Sequence, residues 1–521
     1  MENKYAHIPQ EKFAFAQKDA VLHDTKFDTK ARSYFADALI RFKKNKSSVV
    51  AAYIILFLVI FAIVAPIVTP YKITDKDNVY TNFPPYNPTV AEMGIGILDG
   101  SVTYTSVNET KIAALKAIGI ETGMSPYIKT VGTTETKSIY RGQERVTLSY
   151  KVKVNRYFEQ GVRNLVVSTD EFQKMQQWQN ETGIQLLYPV IDIAKVYPGV
   201  ETNELRLIAK NSNIWYQCAD TKNTPAYDAN GNFIPAYATG TASTDPAYAY
   251  NSLRIKGDDG SYSYCTAKSG SAEVRVCYYN YYQYLKGMEP NYLFGTDEYG
   301  RDLFGAIGTG ARFSLVFAVL VSAINLTIGA IYGSIQGYYG GMVDMILDRI
   351  SDILSGVPFT VVAVLFQLHL AKKVGIVPAF LFAFVMTGWI SMAALTRKQF
   401  YRFKSQEYVL AAKTLGASDK RLMFKHIFPN SLGTIITSCV LVIPGVISSE
   451  TSLTYLGIIN LSTFAGTSIG ELMSLGQTAM TGSPHAMLFP SLFVSLLLIS
   501  FNLFGNGLRD AFNPSTRGVE D

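Results

Sequence analysis

The chain has 521 residues, 48% of them hydrophobic, with a formal net charge of +6 and four cysteines. The positive charge collects beside apolar runs, so it marks membrane topology and is not read as a nucleic-acid footprint. No Cys/His spacing of the metal-binding kind occurs, nor any Gly-x-x-x-x-Gly-Lys-Ser/Thr sequence. Neither a metal site nor a cradle for nucleotide phosphates is therefore predicted.

Residues 1–47 read as a polar tail with one amphipathic helix over 31–42, lying along the inner headgroups. Six apolar runs follow, each of roughly twenty residues, the length that ~30 Å of hydrocarbon requires. They are 48–67, 313–335, 353–371, 376–395, 432–455 and 486–508. The polar stretch before the first run is too long for a signal-peptide n-region, so that run is expected to remain as an anchor. The third begins among Asp344, Asp348, Arg349 and Asp352, read as a solvated helix end paired within itself. Lysines and arginines gather before the first run, between the fourth and fifth (Arg397 to Lys425), and after the sixth at Arg509 and Arg517. With six spans all three clusters face one side, the cytoplasm, and Lys372-Lys373 is the exception.

Between the first two spans lies a polar, tyrosine-rich region of residues 71–300, long enough for a domain of its own and placed outside by this topology. Arg145 to Asn155 alternates apolar and polar residues, a strand pattern; 186–193, 204–208 and 273–279 are further strand candidates. Ser168-Thr-Asp-Glu171 is a capping box that opens a helix. Asn230-Gly231 and Asp258-Asp-Gly260 are turn signals, and Gly94-Ile-Gly96 and Gly308-Thr-Gly310 read as turns. Cys218, Cys265 and Cys277 lie here, and a hairpin over 264–278 favours a Cys265–Cys277 disulfide, three thiols being the alternative. Asp297, Glu298, Arg301 and Asp302 are expected to cap and anchor the start of the second span.

The fold class predicted is an α-helical polytopic membrane protein with six transmembrane helices and an inserted α+β or mostly-β domain. The expected divisions are a tail (1–47), a first span (48–70), the insertion (71–300), a five-helix domain (308–508) and a second tail (509–521). Gly329, Gly333 and Gly337 repeat every fourth residue, a stripe that lets a neighbouring helix approach closely. Glu450 stands within the fifth span among serines and threonines. It is either a translocation-pathway carboxylate or a hydrogen-bonded packing residue.

The loop between the fourth and fifth spans carries a polar helix pair. Ser405 caps a first helix, Glu407 sits in its first turn, Lys413 near its end, and Gly416 takes the left-handed C-terminal position. Ser418 caps a second helix that Pro429 stops. The pair either docks a soluble partner or lies on the headgroups.

This segment resembles the "EAA" coupling loop of ABC-importer permeases, in the C-type form of oligopeptide and dipeptide transporters. Ala411-Ala412, three residues, then Gly416 carry the motif, with Phe428-Pro429 where the family has Leu-Pro. Leu410 departs from it, standing where the acidic residue is common; Glu407 is the substitute. Similar to the family as well are Phe294-Gly-Thr-Asp-Glu-Tyr-Gly-Arg-Asp302, Gly337-Tyr-Tyr-Gly-Gly341, Thr451 to Gly457 and Phe501 to Asp510. The resemblance implies a type I importer permease fold and peptide import by alternating access. It also implies a second homologous permease, two ATPase subunits that bind ATP and Mg2+, and an extracytoplasmic peptide-binding lipoprotein. Glu407, Ala411, Ala412, Gly416 and Pro429 would form the ATPase-coupling site. A nickel-type substrate for the same machine is one alternative, and a membrane receptor with a ligand-binding outer domain is the rival.

Overall fold

The computed structural model describes residues 34–140, 143–188, 205–209, 214–217, 229, 265–461 and 467–512. Cys218, the turns at Asn230-Gly231 and Asp258–Gly260, most of the first tail and the last residues of the chain lie outside the described residues.

An amphipathic helix, α1 (Tyr34–Lys44), leads into α2 (Lys46–Val68). Asn45 separates the two and caps α2, its side chain accepting from the Ser48 amide. The junction is seated on the last helix of the chain, with Ser48 Oγ donating to the Leu503 carbonyl (3.1 Å) and Phe42 edge-on to Phe504.

An α+β domain follows. Strands β1 (Ser101–Val107), β2 (Tyr127–Tyr140) and β3 (Gln143–Asn155) form an antiparallel sheet of order β1-β3-β2, with α3 (Glu109–Thr122) between β1 and β2. Next come β4 (Val162–Ser168), α4 (Thr169–Thr182), β5 (Leu187–Tyr188) and a small pair, β6 (Leu205–Ala209) with β7 (Ile214–Gln217). In the second sheet β9 (Ser271–Cys277) is central, with β4 on one side and both β5 and β8 (Cys265–Lys268) on the other. The alternating run at 145–155 is β3, and Ser168 caps α4 by accepting from the Glu171 amide (3.1 Å). Two expectations change. The candidate strand at 273–279 ends at Cys277, because Tyr278 opens α5 (Tyr278–Lys286). The expected 264–278 hairpin forms, but its register sets Cys265 opposite Val274 and Cys277 opposite Val162. Three positions along a strand amount to ~10 Å, beyond disulfide reach, so Cys265 and Cys277 do not bridge each other.

Tyrosines fill the core that closes this domain. Tyr80, Tyr157 and Tyr282 are fully buried, with Tyr157 stacked on Tyr86 at 4.4 Å between ring centroids. A buried phenol needs a partner for its hydroxyl. Tyr157 donates to the Pro84 carbonyl (2.9 Å), Tyr282 pairs with Tyr292 (2.8 Å), and Tyr278 donates to Asp77 (2.9 Å). These residues come from both ends of the domain, so one aromatic cluster joins the chain leaving α2 to the chain approaching the next helix.

That helix, α6 (Leu303–Tyr339), is about 55 Å long, well beyond the hydrocarbon thickness. Asp302 caps it as expected, accepting from the Gly305 amide (2.9 Å) and the Thr69 hydroxyl (2.7 Å). Arg301 is ion-paired with Asp297 at 2.7 Å in a buried site. Gly308 and Gly310 are helical in α6 and form no turn, whereas Gly94 and Gly96 do take left-handed turn conformations. Among the described residues five helices are long and apolar enough to cross a membrane: α2, α6, α9 (Ile376–Phe403), α11 (Asp419–Tyr455) and α13 (His485–Phe512). The third run differs from expectation. It is a broken pair, α7 (Gly341–Ser355) and α8 (Phe359–Val374), bent by 72°. Pro358 lacks an amide hydrogen and disfavours helix at Val357, which places the break there. Between the end of α9 and the start of α11, the loop holds the short α10 (Glu407–Thr414).

One helix lay below the hydropathy signal: α12 (Ile469–Ala479), capped by Ser468 and wedged among α6, α11 and α13. A Cβ at Gly310 would lie 2.9 Å from the Ile469 amide, and one at Gly476 2.5 Å from the Ala486 carbonyl, so both contacts require glycine.

Burial holds the Tyr157, Tyr278, Tyr279 and Tyr282 phenols in their neutral form, with pKa values raised above the ordinary 10.0. A raised folded-state pKa gives stability that is complete below the unfolded value and lost above it. The domain should therefore unfold cooperatively as pH rises past about 10, tyrosinate absorbance and loss of near-UV circular dichroism moving together. Smooth ionisation near the unfolded pKa with the dichroism intact would contradict this core.

Candidate functional site

The site grows from the glycine stripe. Ideal Cβ atoms at Gly329 and Gly337 would stand 2.7 Å from the Trp389 and Arg397 carbonyl oxygens, and one at Gly333 would collide with the Ala393 carbonyl. Backbone thus meets backbone along α6 and α9, with Met392, Ala393, Thr396 and Phe400 of α9 buried in the seam. This fixes where α9 emerges, and hence where the loop that follows it begins.

Within that loop Glu407 opens α10 in its first turn, as expected. The cap differs: Gln406 occupies the N-cap position with no side-chain cap bond, and Ser405 lies outside it. Gly416 has φ +85°, and the Ala417 amide reaches back to the Ala412 carbonyl (3.1 Å), the backward bond that closes a helix on a left-handed residue. Ser418 stands at the next N-cap but makes no side-chain cap bond. Pro429 does not stop this second helix. A widened π turn over Leu422–Ile427 precedes it, the proline falls in the first turn of the following segment, and α11 runs on to Tyr455.

A small apolar cluster of Phe400, Val409, Leu422, Met423 and Ile427 binds the end of α9, α10 and the start of α11 together. Ala412 packs half-buried against it, while Ala411 is exposed. Tyr338 of α6 donates to Asp419 (2.6 Å), and Asn430 donates to the Tyr408 hydroxyl (3.1 Å). The outward surface is unusually apolar for a polar loop: Leu410 is 50% exposed and Leu415 88% exposed, with Tyr408 and Phe424 beside them.

Above the loop lies an ion cluster that the sequence reading assigned differently. Arg397 of α9 spans two carboxylates of α7, with Nη2 at 2.5 Å from Asp344 and Nη1 at 2.8 Å from Asp348. Tyr401 donates to Asp344 (2.7 Å), and Lys404 Nζ donates to the Gly337 carbonyl (3.0 Å). Of the charges at this helix, only exposed Arg349 and Asp352 pair within it, at 3.1 Å. The acidic spacing 344/348 was visible in sequence; its partner was not, because Arg397 lies about fifty residues away on another helix.

Glu450 is fully buried in α11 and accepts from Ser314 of α6 (2.7 Å). It faces α6 across that bond, and Thr454 donates to its backbone carbonyl (2.9 Å).

Comparison with known proteins gives this geometry a lineage. Residues 304–518 match the family described as binding-protein-dependent transport system inner membrane component. Residues 33–85 match the N-terminal TM domain of oligopeptide transport permease C. The oligopeptide transport system permease protein OppC of Bacillus subtilis is 42% identical over 224 residues, 43% of this chain and 72% of that protein. The dipeptide permease DppC of the same organism is 39% identical over 225 residues, 43% of this chain and 69% of the relative. OppC of Haemophilus influenzae is 36% identical over 230 residues, 44% of this chain and 72% of its own length.

The chain belongs to the binding-protein-dependent transport permeases.

The glycine stripe, the Arg397 cluster and the α10 loop of this permease all fall inside the larger matched segment, while most of the α+β domain lies between the two matches. A Gly333→Val permease should lose the α6–α9 seam. Overpacking of this kind costs ~1–3 kcal/mol, and a clash with backbone lies at the upper end. Thermal unfolding in detergent should show a clear drop for this variant and none for Gly445→Ala, where a new Cβ meets nothing within 4 Å. Equal behaviour of the two would refute the seam.

Proposed function

We propose that this permease is the membrane subunit of an ATP-driven importer that takes up oligopeptides or dipeptides by alternating access. Five or six apolar helices supply the pore-forming part, and the names of its relatives support peptide over nickel as the cargo. A second homologous permease completes the pore. An extracytoplasmic peptide-binding lipoprotein delivers the cargo to the face that carries the α+β domain. Two ATPase subunits, which bind ATP and Mg2+, dock at the opposite face in the cytoplasm. The lysines and arginines beside α2, α9 and α13 support that orientation, with both termini inside.

The observation that carries the reading is the loop of Glu407, Ala411, Ala412, Gly416 and Pro429. A short helix held by its own apolar cluster presents Leu410 and Leu415 to the outside. Exposed large apolar side chains on a rigid projection fit a groove of a soluble partner. Glu407 extends from the first turn of α10 and gives that contact its charge. Through the cluster and the glycine seam, displacement of α10 reaches α9, α11 and α6 together. Glu450 lies between α6 and α11, so peptide meets this carboxylate only after those helices part.

Two substitutions test the docking. Leu415→Asp puts a charge at the centre of the proposed contact, and Gly416→Val forces a branched side chain into a left-handed backbone, a strain of ~1–2 kcal/mol. Both variants should reach the membrane in normal amounts yet co-purify with at least ten-fold less ATPase and import labelled peptide correspondingly slowly. Undiminished ATPase recovery and uptake in both would refute the coupling role of the loop.

A further inference from the structure

Helix α7 is weakly held by apolar packing. Asp344 and Ser351 are its buried residues, whereas Met345, Ile346 and Ile353 are each more than half exposed. What ties it to the rest of the chain is polar. On α6, Tyr332 donates to the Leu347 carbonyl (2.6 Å) and Gln336 to Asp348 (3.2 Å). On α9, Arg397 bridges Asp344 and Asp348 while Tyr401 holds Asp344. The far end of α7 is released by the break at Gly356–Pro358, beyond which α8 leaves at 72°. So α7 is attached firmly at one end to the helix that carries α10, and hinged at the other to a separate apolar segment.

We propose that Arg397 is a positioning residue that hangs α7 on the coupling arm, so that α7 travels with α9 and α10 and swings α8 about the Gly356–Pro358 break. The inference rests on the reading that α10 docks on an ATPase, and it adds a route by which that motion reaches the broken segment. Arginine suits the role because its planar fork can hold two carboxylates one helical turn apart. A lysine is a point charge and cannot bridge them in the same way. Loss of the guanidinium leaves Asp344 in the seam without its counter-charge. Helix α7 then keeps only its hydrogen bonds to Tyr332 and Gln336 of α6, and its spacing from α9 is no longer fixed.

The test uses the full complex of this permease with its second permease and ATPases in lipid nanodiscs. Genetically encoded spin labels at exposed Met345 and Lys398 report the α7–α9 distance with and without trapped ATP. In the native complex one narrow distance should persist in both states. In Arg397→Gln the distance should broaden and change with ATP, and peptide imported per ATP hydrolysed should fall roughly five-fold or more, the range of a modest coupling free energy. The charge swap Arg397→Asp with Asp344→Arg should restore both readouts, which a merely bulky structural residue would not allow. A native distance distribution and native coupling ratio in Arg397→Gln would overturn the proposal. Should that variant fail to assemble, Asp348→Asn on the more exposed arm is read in the same way, and an unchanged coupling ratio there also overturns it. Absence of ATPase from the native complex would instead defeat the docking reading, and this inference with it.

Discussion

Close approach of α6 and α9 is the constraint on which the rest depends. Hydrocarbon offers helices no hydrophobic reason to associate, so contact must come from backbone proximity and from polar groups. Gly329, Gly333 and Gly337 supply the first, bringing α6 against the carbonyls of Trp389, Ala393 and Arg397. Arg397 itself supplies the second, since the turn of α9 that the stripe draws in is the one that presents its guanidinium to α7. A side chain at any of the three glycines would push away both α9 and the charge cluster it carries.

From that seam the loop inherits its rigidity. Phe400 closes the end of α9 and is also a member of the cluster that holds α10 and the start of α11. The loop therefore projects as a continuation of packed helices, and force applied to it acts on three long helices at once. The α+β domain is organised by a different principle. Its tyrosines bury large apolar area while the Tyr157, Tyr278 and Tyr282 hydroxyls find partners, which joins the chain after α2 to the chain before α6. Ser483, which donates to the Asn82 carbonyl (2.7 Å), extends that joint to the start of α13.

Much of this was legible in sequence. Apolar length located α2, α6, α9, α11 and α13, four-residue glycine spacing located the seam, and period two located β3. Gly416 announced a left-handed helix end, and the motif around it announced the family. The errors share a cause: local rules were applied where distant partners decide. Asp344 and Asp348 were paired within their own helix because Arg397 is remote in sequence. Pro429 reads as a stop because the π turn over Leu422–Ile427 that precedes it has no sequence signature. The cysteine pairing ignored the strand register. Helix α12 escaped because its hydrophobicity is too short and mixed to cross a membrane, and its burial comes from three neighbours.

The central claim is that the loop from Glu407 to Pro429 is a joint with a separate motor, and Leu415 is its most exposed apolar side chain. The most direct measurement places a photocrosslinking amino acid at Leu415 in the native membrane and identifies the adduct by mass spectrometry. The account predicts a crosslink to an ATPase chain, strengthened when ATP is trapped. A crosslink to lipid alone, unchanged by nucleotide, would mean that the helix rests on the headgroups and would contradict it.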